Sequence, residues 1–238
     1  MKIMNYEVFT NNLEDLDLTK KQIINTINPH SYVTAKDDKV FYKALQTSDL
    51  LIPDGSGIVI AAKQINKQSI KKIAGADLHK FLLDQMNKKS GKVFYMGAAQ
   101  KTLDKVEERI KKEYPNITVS SYSPPFKPEF SDVENQEIIN RVNEFKPDVL
   151  FIGMTAPKQE KWLDVHKDNL NFTTASCIGA VFDFYAGTVE RPSDIWVNLH
   201  LEWLGRLIKE PKRMWKRNFV STPLFLIDIF LFKFGFKK

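Results

Sequence analysis

Four short polar stretches of this chain carry residue types that could do chemistry. Pro53-Asp54-Gly55-Ser56-Gly57 places one carboxylate between a proline that fixes φ and two glycines that leave room beside the backbone. A single carboxylate so presented can take a proton from an attacking hydroxyl; taken alone, the same five residues also spell an ordinary polar turn. Thr26-Ile27-Asn28 offers a hydroxyl and an amide. Gly153-Met154-Thr155-Ala156-Pro157-Lys158-Gln159-Glu160 joins a glycine to a helix start, a combination suited to a phosphate or a sugar hydroxyl and equally to plain helix initiation. Asp183, between Gly179 and Gly187, is a second carboxylate after an apolar run, with a cap or turn as its other reading.

Several chemistries lack their motifs. Tyr95-Met96-Gly97-Ala98 matches half a dinucleotide fingerprint, but G-x-G-x-x-G is absent, as is G-x-x-x-x-G-K-[ST]. The four histidines (His30, His79, His166, His200) form no H-E-x-x-H, and there is no C-x-x-C, so the sequence supports no zinc site. The lone Cys177 excludes an intramolecular disulfide framework and sits in an apolar run that suits a buried, inert thiol.

The elements that must position these stretches alternate. Leu50–Pro53, Lys92–Gly97, Ile117–Tyr122, Asp148–Gly153 and Phe172–Ile178 read as strands. Helical spacing covers Asp37–Thr47, Ile58–Gln64, Ala76–Asn87, Gln100–Glu113, Val133–Phe145 and a segment from Pro157. Leu18–Ile24 reads as helix or strand, and Asn25–His30 as a polar loop in which Pro29 argues against helix continuation. Apolar strands between helices predict an α/β fold with a mostly parallel sheet covered on both faces. Ligands of such sheets sit beyond the carboxyl ends of the strands, where Asp54, Gly97 and the loop after Gly153 would converge.

Charge is uneven along the 238 residues. Nine Lys or Arg against three Asp or Glu lie from His200 onward, so all of the +6 net charge belongs to the last 39 residues. Trp196–Arg217 is helical in pattern and rich in Trp and Arg. Phe219–Phe236 is apolar but interrupted by Pro223, Asp228 and Lys233, too broken for a transmembrane helix of about 20 apolar residues. It suits an interfacial helix at an anionic membrane surface, or a helix that closes a core or dimer interface. The apolar run beside the basic one argues against a nucleic-acid partner. No signal-peptide pattern opens the chain, so export is not expected.

In order, these stretches resemble the bacterial WecG/TagA/CpsF glycosyltransferases from residue 1 to about 217. The resemblance rests on Thr26-x-Asn28, Pro53-Asp54-Gly55-x-Gly57, Gly75-x-Asp77-Leu78 and Pro157-Lys158-Gln159-Glu160-x-Trp162. It continues through Gly179-x-x-Phe182-Asp183-x-x-Ala186-Gly187, Leu201-Glu202-Trp203-x-x-Arg206-Leu207 and Glu210-Pro211-x-Arg213. The chain departs from the pattern before Gly75, where Lys72 is the nearest cation in place of an Arg, and at Arg191-Pro192-Ser193.

The resemblance implies a Rossmann-like (GT-E-like) core over 1–195 and a C-terminal appendage over 196–238 that completes the site and meets the membrane. It implies inverting, metal-independent transfer of an N-acetylmannosamine-type sugar from a UDP-sugar to an undecaprenyl-diphosphate-linked acceptor, at the cytoplasmic face of the plasma membrane. Asp54 takes the place of the base, with Thr26 and Gln159 as catalytic polar groups. Asn28 and Asp183 fall at substrate- or nucleotide-binding positions and Arg206 and Arg213 at diphosphate-binding ones. Lys216 or Arg217 would supply a third cation, and Gly97, after its strand, is counted with the substrate-binding residues. Another UDP-hexose donor, a non-catalytic nucleotide-sugar-binding scaffold and a homo-oligomer remain open alternatives.

Overall fold

A computed structural model describes residues 1–189, 207 and 214–236. Its centre is a six-stranded, wholly parallel sheet in the order β4-β3-β8-β7-β5-β6. These strands are β3 (Gln22–Ile27), β4 (Leu50–Pro53), β5 (Lys92–Gly97), β6 (Thr118–Tyr122), β7 (Val149–Gly153) and β8 (Thr174–Cys177). A small antiparallel pair, β1 (Lys2–Ile3) and β2 (Tyr6–Glu7), precedes them. The interior strands read as unbroken apolar runs because both faces are covered: every residue of β7 is buried.

Helices divide between the two faces. On one, α4 (Gly75–Lys89), α5 (Gln100–Glu113) and α8 (Ala180–Tyr185) bury Leu82, Val106 and Phe182 against Ile24, Tyr95 and Phe151. On the other lie α1 (Pro29–Asp37), α2 (Lys39–Gln46), α6 (Asp132–Phe145) and α7 (Lys158–His166), with α3 (Ser56–Ala61) and α9 (Thr222–Lys233) completing the β4 end of that layer. The neighbours β3 and β8 therefore send their following helices, α1 and α8, to opposite faces. That opens a crevice at their carboxyl ends, the usual ligand position in a doubly wound sheet.

The α/β, Rossmann-like expectation holds. One local expectation does not: the supposed polar loop at Asn25–His30 is strand through Ile27 and helix from Pro29. Proline at the first helical position loses no hydrogen bond, since that N–H has no intrahelical acceptor. Asn28 makes the helix start by accepting from the backbone N–H groups of His30 and Ser31, each at 3.0 Å, while the Ser31 hydroxyl faces the Asn28 backbone.

The C-terminal segment is bound to the core. Phe225 and Ile229 of α9 are buried in the cluster that holds Ile27, Tyr32 and Ile58. Each such side chain contributes about 1.5–3 kcal/mol of hydrophobic stabilisation. The opposite side of α9 exposes Leu226, Ile227 and Phe230. The helix thus has an apolar face on the protein and a second one turned outward. The expected boundary at 195/196 and most of the helical segment Trp196–Arg217 lie outside the described residues.

Candidate active site

The register places the predicted site residues along one edge of the sheet. Thr26 pairs with Ile52 and Ile27 with Pro53, so β3 and β4 end side by side. The Asp54 backbone N–H then donates to the Ile27 carbonyl at 2.9 Å, which carries the half-buried Asp54 just beyond the strand ends. Asn28 borders the same loop, and a Cβ added to Gly55 would sit 4.0 Å from Asn28 Cβ. Thr26, Asn28 and Asp54 are therefore one group. Since Asn28 spends its carbonyl oxygen on the cap of α1, its amide NH₂ is the part left to face a ligand.

Gly57 explains how closely this group is backed. A Cβ there would fall 2.4 Å from Pro29 Cγ and 3.3 Å from Phe225 Cε1, because the starts of α1 and α3 and the side of α9 meet at this point. The loop that presents Asp54 is thus held from behind by the C-terminal helix.

Cations gather at the same corner. Arg217, half-buried in the π-helical turn Lys216–Ser221, lies close enough to His30 to act on its titration. Burial lowers the His30 pKa first, and the charges of Arg217 and Lys216 lower it further. His30 Nδ1 also shares a 2.8 Å hydrogen bond with Ser221 Oγ. The first turn of α1, the neutral imidazole and two cations make this a favourable place for a negative group. His30 has no role in the motif reading, because a lone histidine after Asn-Pro carries no signal of a partner 191 positions away.

The second part of the site follows β7 and β8. Gly97 and Gly153 are paired in register, and Gly97 has φ +109° with no space for a Cβ, which would meet the Gly153 oxygen at 2.5 Å. Gly97 is buried, so its place here is to let β5 and β7 end in close contact. From Gly153 the chain passes a cis Ala156–Pro157 bond into α7, where Gln159 and Glu160 are both buried. Gln159 Oε1 accepts from the Met154 N–H at 3.1 Å, and its Nε2 donates to Glu160 Oε1 at 2.8 Å. Lys158 sits 3.6 Å above the Phe130 ring and donates to the Lys127 carbonyl, tying the loop before α6 to the start of α7. Burial and the Lys127 charge lower its pKa.

Asp183 lies apart from Thr26 and Asp54 in its contacts. Its carboxylate accepts from the Thr102 hydroxyl at 3.4 Å and the Thr188 hydroxyl at 3.3 Å, bridging α8 to α5 and to the turn that follows. Arg206 and Arg213 lie outside the described residues. Among the described residues no three His, Cys, Asp or Glu side chains are grouped to hold a metal ion.

The sheet edge thus joins a carboxylate, a hydroxyl, two amides and a cationic corner, a set suited to group transfer from a phosphorylated donor. The Glycosyl transferase WecG/TagA/CpsF family matches residues 2–238. This chain belongs to that family. It is accordingly a glycosyltransferase.

Three similar proteins share the name N-acetylglucosaminyldiphosphoundecaprenol N-acetyl-beta-D-mannosaminyltransferase. The one from Bacillus spizizenii is 31% identical over 224 residues, covering 93% of this chain and 84% of the relative. That from Bacillus subtilis is 33% identical over 207 residues, covering 87% and 78%. That from Staphylococcus aureus (strain MW2) is 27% identical over 220 residues, covering 92% and 84%. Thr26–Asn28, Pro53–Gly57, Pro157–Glu160 and Gly179–Asp183 lie at or just after the ends of β3, β4, β7 and β8 in turn.

Proposed function

We propose that this glycosyltransferase moves N-acetylmannosamine from its UDP donor to N-acetylglucosamine on an undecaprenyl diphosphate, with inversion and without a metal ion. The observation that carries the reading is the grouping of Asp54 with Thr26 and Asn28 at the β3 and β4 ends, in a family whose relatives bear that activity in their names. In one displacement the acceptor hydroxyl oxygen bonds to the anomeric carbon as the bond from that carbon to UDP breaks. Asp54 takes the hydroxyl proton, and UDP leaves with the electron pair. Negative charge grows on the diphosphate, and the first turn of α1, Lys216 and Arg217 are placed to offset it. Arg206 and Arg213 join them by family position, and guanidinium forks suit a diphosphate better than point charges do.

The same reading includes reversible attachment to the cytoplasmic leaflet. Among the described residues no helix is long and apolar enough to cross a membrane. The outward face of α9, with Ile227 and Phe230 exposed and Lys233 near its end, suits insertion at the depth of the headgroups. Each Lys or Arg near an anionic surface adds about 1 kcal/mol.

A panel of UDP-sugars offered with a short-chain prenyl-diphosphate-linked N-acetylglucosamine, read by product mass, tests the reaction. The expected result is gain of one N-acetylhexosamine from UDP-N-acetylmannosamine alone, unchanged by EDTA. Gain of a hexose would replace the donor. Binding of a UDP-sugar with no transfer to any acceptor would favour a non-catalytic scaffold.

A further inference from the structure

Gln159 is anchored on two sides, and the second anchor costs the protein something. The Met154 backbone N–H can only donate, so the atom facing it at 3.1 Å must be the amide oxygen. The nitrogen of Gln159 therefore faces Glu160, at 2.8 Å from Oε1. Gly179 makes room for this arrangement, since a Cβ there would lie 3.0 Å from Gln159 Oε1 and 2.6 Å from the Met154 oxygen. Side chains one residue apart on a helix ordinarily diverge, so this pairing in the first turn of α7 is unusual.

Glu160 is poorly served as a purely structural residue. It is 6% exposed, and its Oε2 has no hydrogen-bond partner among the described residues. Burial raises its pKa to about 7. A buried carboxyl with one oxygen unsatisfied destabilises a fold relative to an apolar side chain of the same size. Among the described residues its one side-chain hydrogen-bond partner is Gln159.

We propose that Glu160 is a positioning residue that fixes the amide of Gln159, so that Gln159 turns its remaining N–H, and not its carbonyl oxygen, toward the substrate. The consequence is a donor-only site: Gln159 recognises an oxygen acceptor such as a sugar hydroxyl, carbonyl or phosphate oxygen. This rests on the reading that Gln159 lines the glycosyl-transfer site.

The test is a double-mutant cycle on the full chain, with UDP-N-acetylmannosamine and the short-chain lipid-linked N-acetylglucosamine as substrates. E160M keeps the volume and removes the acceptor. It should lower kcat about tenfold, as expected for loss of one buried hydrogen bond, with a Tm equal to or above that of the parent. E160Q, which retains an acceptor oxygen, should restore most of the rate. Q159M/E160M should be no slower than Q159M alone. E160L serves the same comparison if E160M does not fold. An E160M enzyme at the parent rate, or a double variant slower than Q159M by the full E160M effect, overturns the inference while leaving Gln159 in the site. A Q159M enzyme at the parent rate removes Gln159 from the site, and the inference falls with it.

Discussion

The carboxylate of Asp228, 196 residues along the chain from Tyr32, accepts from the Tyr32 hydroxyl at 3.1 Å, and the Lys36 ammonium donates to the same oxygen at 2.8 Å. The aspartate is 4% exposed, whereas the Lys36 side chain still reaches solvent, so the lysine's share of the attraction is partly screened. These bonds and the burial of Phe225 hold α9 against α1, which Asn28 caps.

Replacing Asp228 by alanine should therefore cost about 1–3 kcal/mol, the penalty for leaving a buried hydroxyl without its acceptor. Turnover should fall as well, because α9 backs the Asp54 loop. Urea unfolding together with a rate assay checks both. An unchanged midpoint would mean that the Asp228 contacts do not hold the helix in place.

Gly57→Ala tests the same junction from the other side. The added methyl would meet the Pro29 ring at 2.4 Å, and neither helix start can move without shifting Asp54 or Asn28. A stability loss of about 1–3 kcal/mol is expected from overpacking. Activity per folded molecule should drop too, measured after correcting for the folded fraction by circular dichroism. Full activity in the folded fraction would show that the loop adjusts freely.

Two buried groups should tilt stability with pH in opposite directions. His79, hydrogen-bonded to the Tyr95 hydroxyl at 2.6 Å, is pushed by burial from its ordinary 6.5 down to about 3. Between those values the unfolded chain binds the proton and the folded one does not, so stability falls as pH drops below 6.5. Glu160 is raised from 4.5 to about 7, so the folded state holds the extra proton and stability falls as pH rises through that window. The stability of E160M relative to the parent should therefore increase from pH 4.5 to 7 and level off above it. The stability of H79Q relative to the parent should increase as pH falls below 6.5. Differences independent of pH would contradict both assignments.

The outer face of α9 yields a separable prediction. Ile227→Glu and Phe230→Glu add charge to exposed positions and leave Phe225 and Ile229 in the core. Together they should abolish co-flotation with vesicles containing phosphatidylglycerol, with little change in Tm. If flotation persists, α9 is not the membrane contact. If a dimer present in the parent is lost, the face joins two copies of the chain.

Much of the sheet was legible because its strands are buried on both faces and its helices are amphipathic; Gln100–Glu113 was delimited from spacing alone. Helix α1 is not, since Pro29 reads as a helix breaker and the Asn28–Ser31 cap that makes it a helix start shows only in the folded backbone. For α9 the difficulty is one of pattern. It is apolar on every side, and no periodicity tells Phe225, which is buried, from Leu226, which is not. The strand ends make Asp54, Gly97 and the loop after Gly153 readable as neighbours, whereas Thr26 and Asn28 join Asp54 only through the family resemblance. The Gln159–Glu160 pair and the fit of Phe225 behind Gly57 arise from tertiary contacts that leave no spacing signal.

Single-turnover transfer by Asp54→Asn tests most directly whether Asp54 takes the proton of the acceptor hydroxyl. The variant keeps the shape of the loop and the backbone bond to Ile27 while removing the base. The rate of transfer from UDP-N-acetylmannosamine to the lipid-linked N-acetylglucosamine should fall by about 10²–10⁴-fold. Tm and UDP-sugar affinity should stay near those of the parent. Transfer at the parent rate would contradict the assignment and move the base elsewhere in the site.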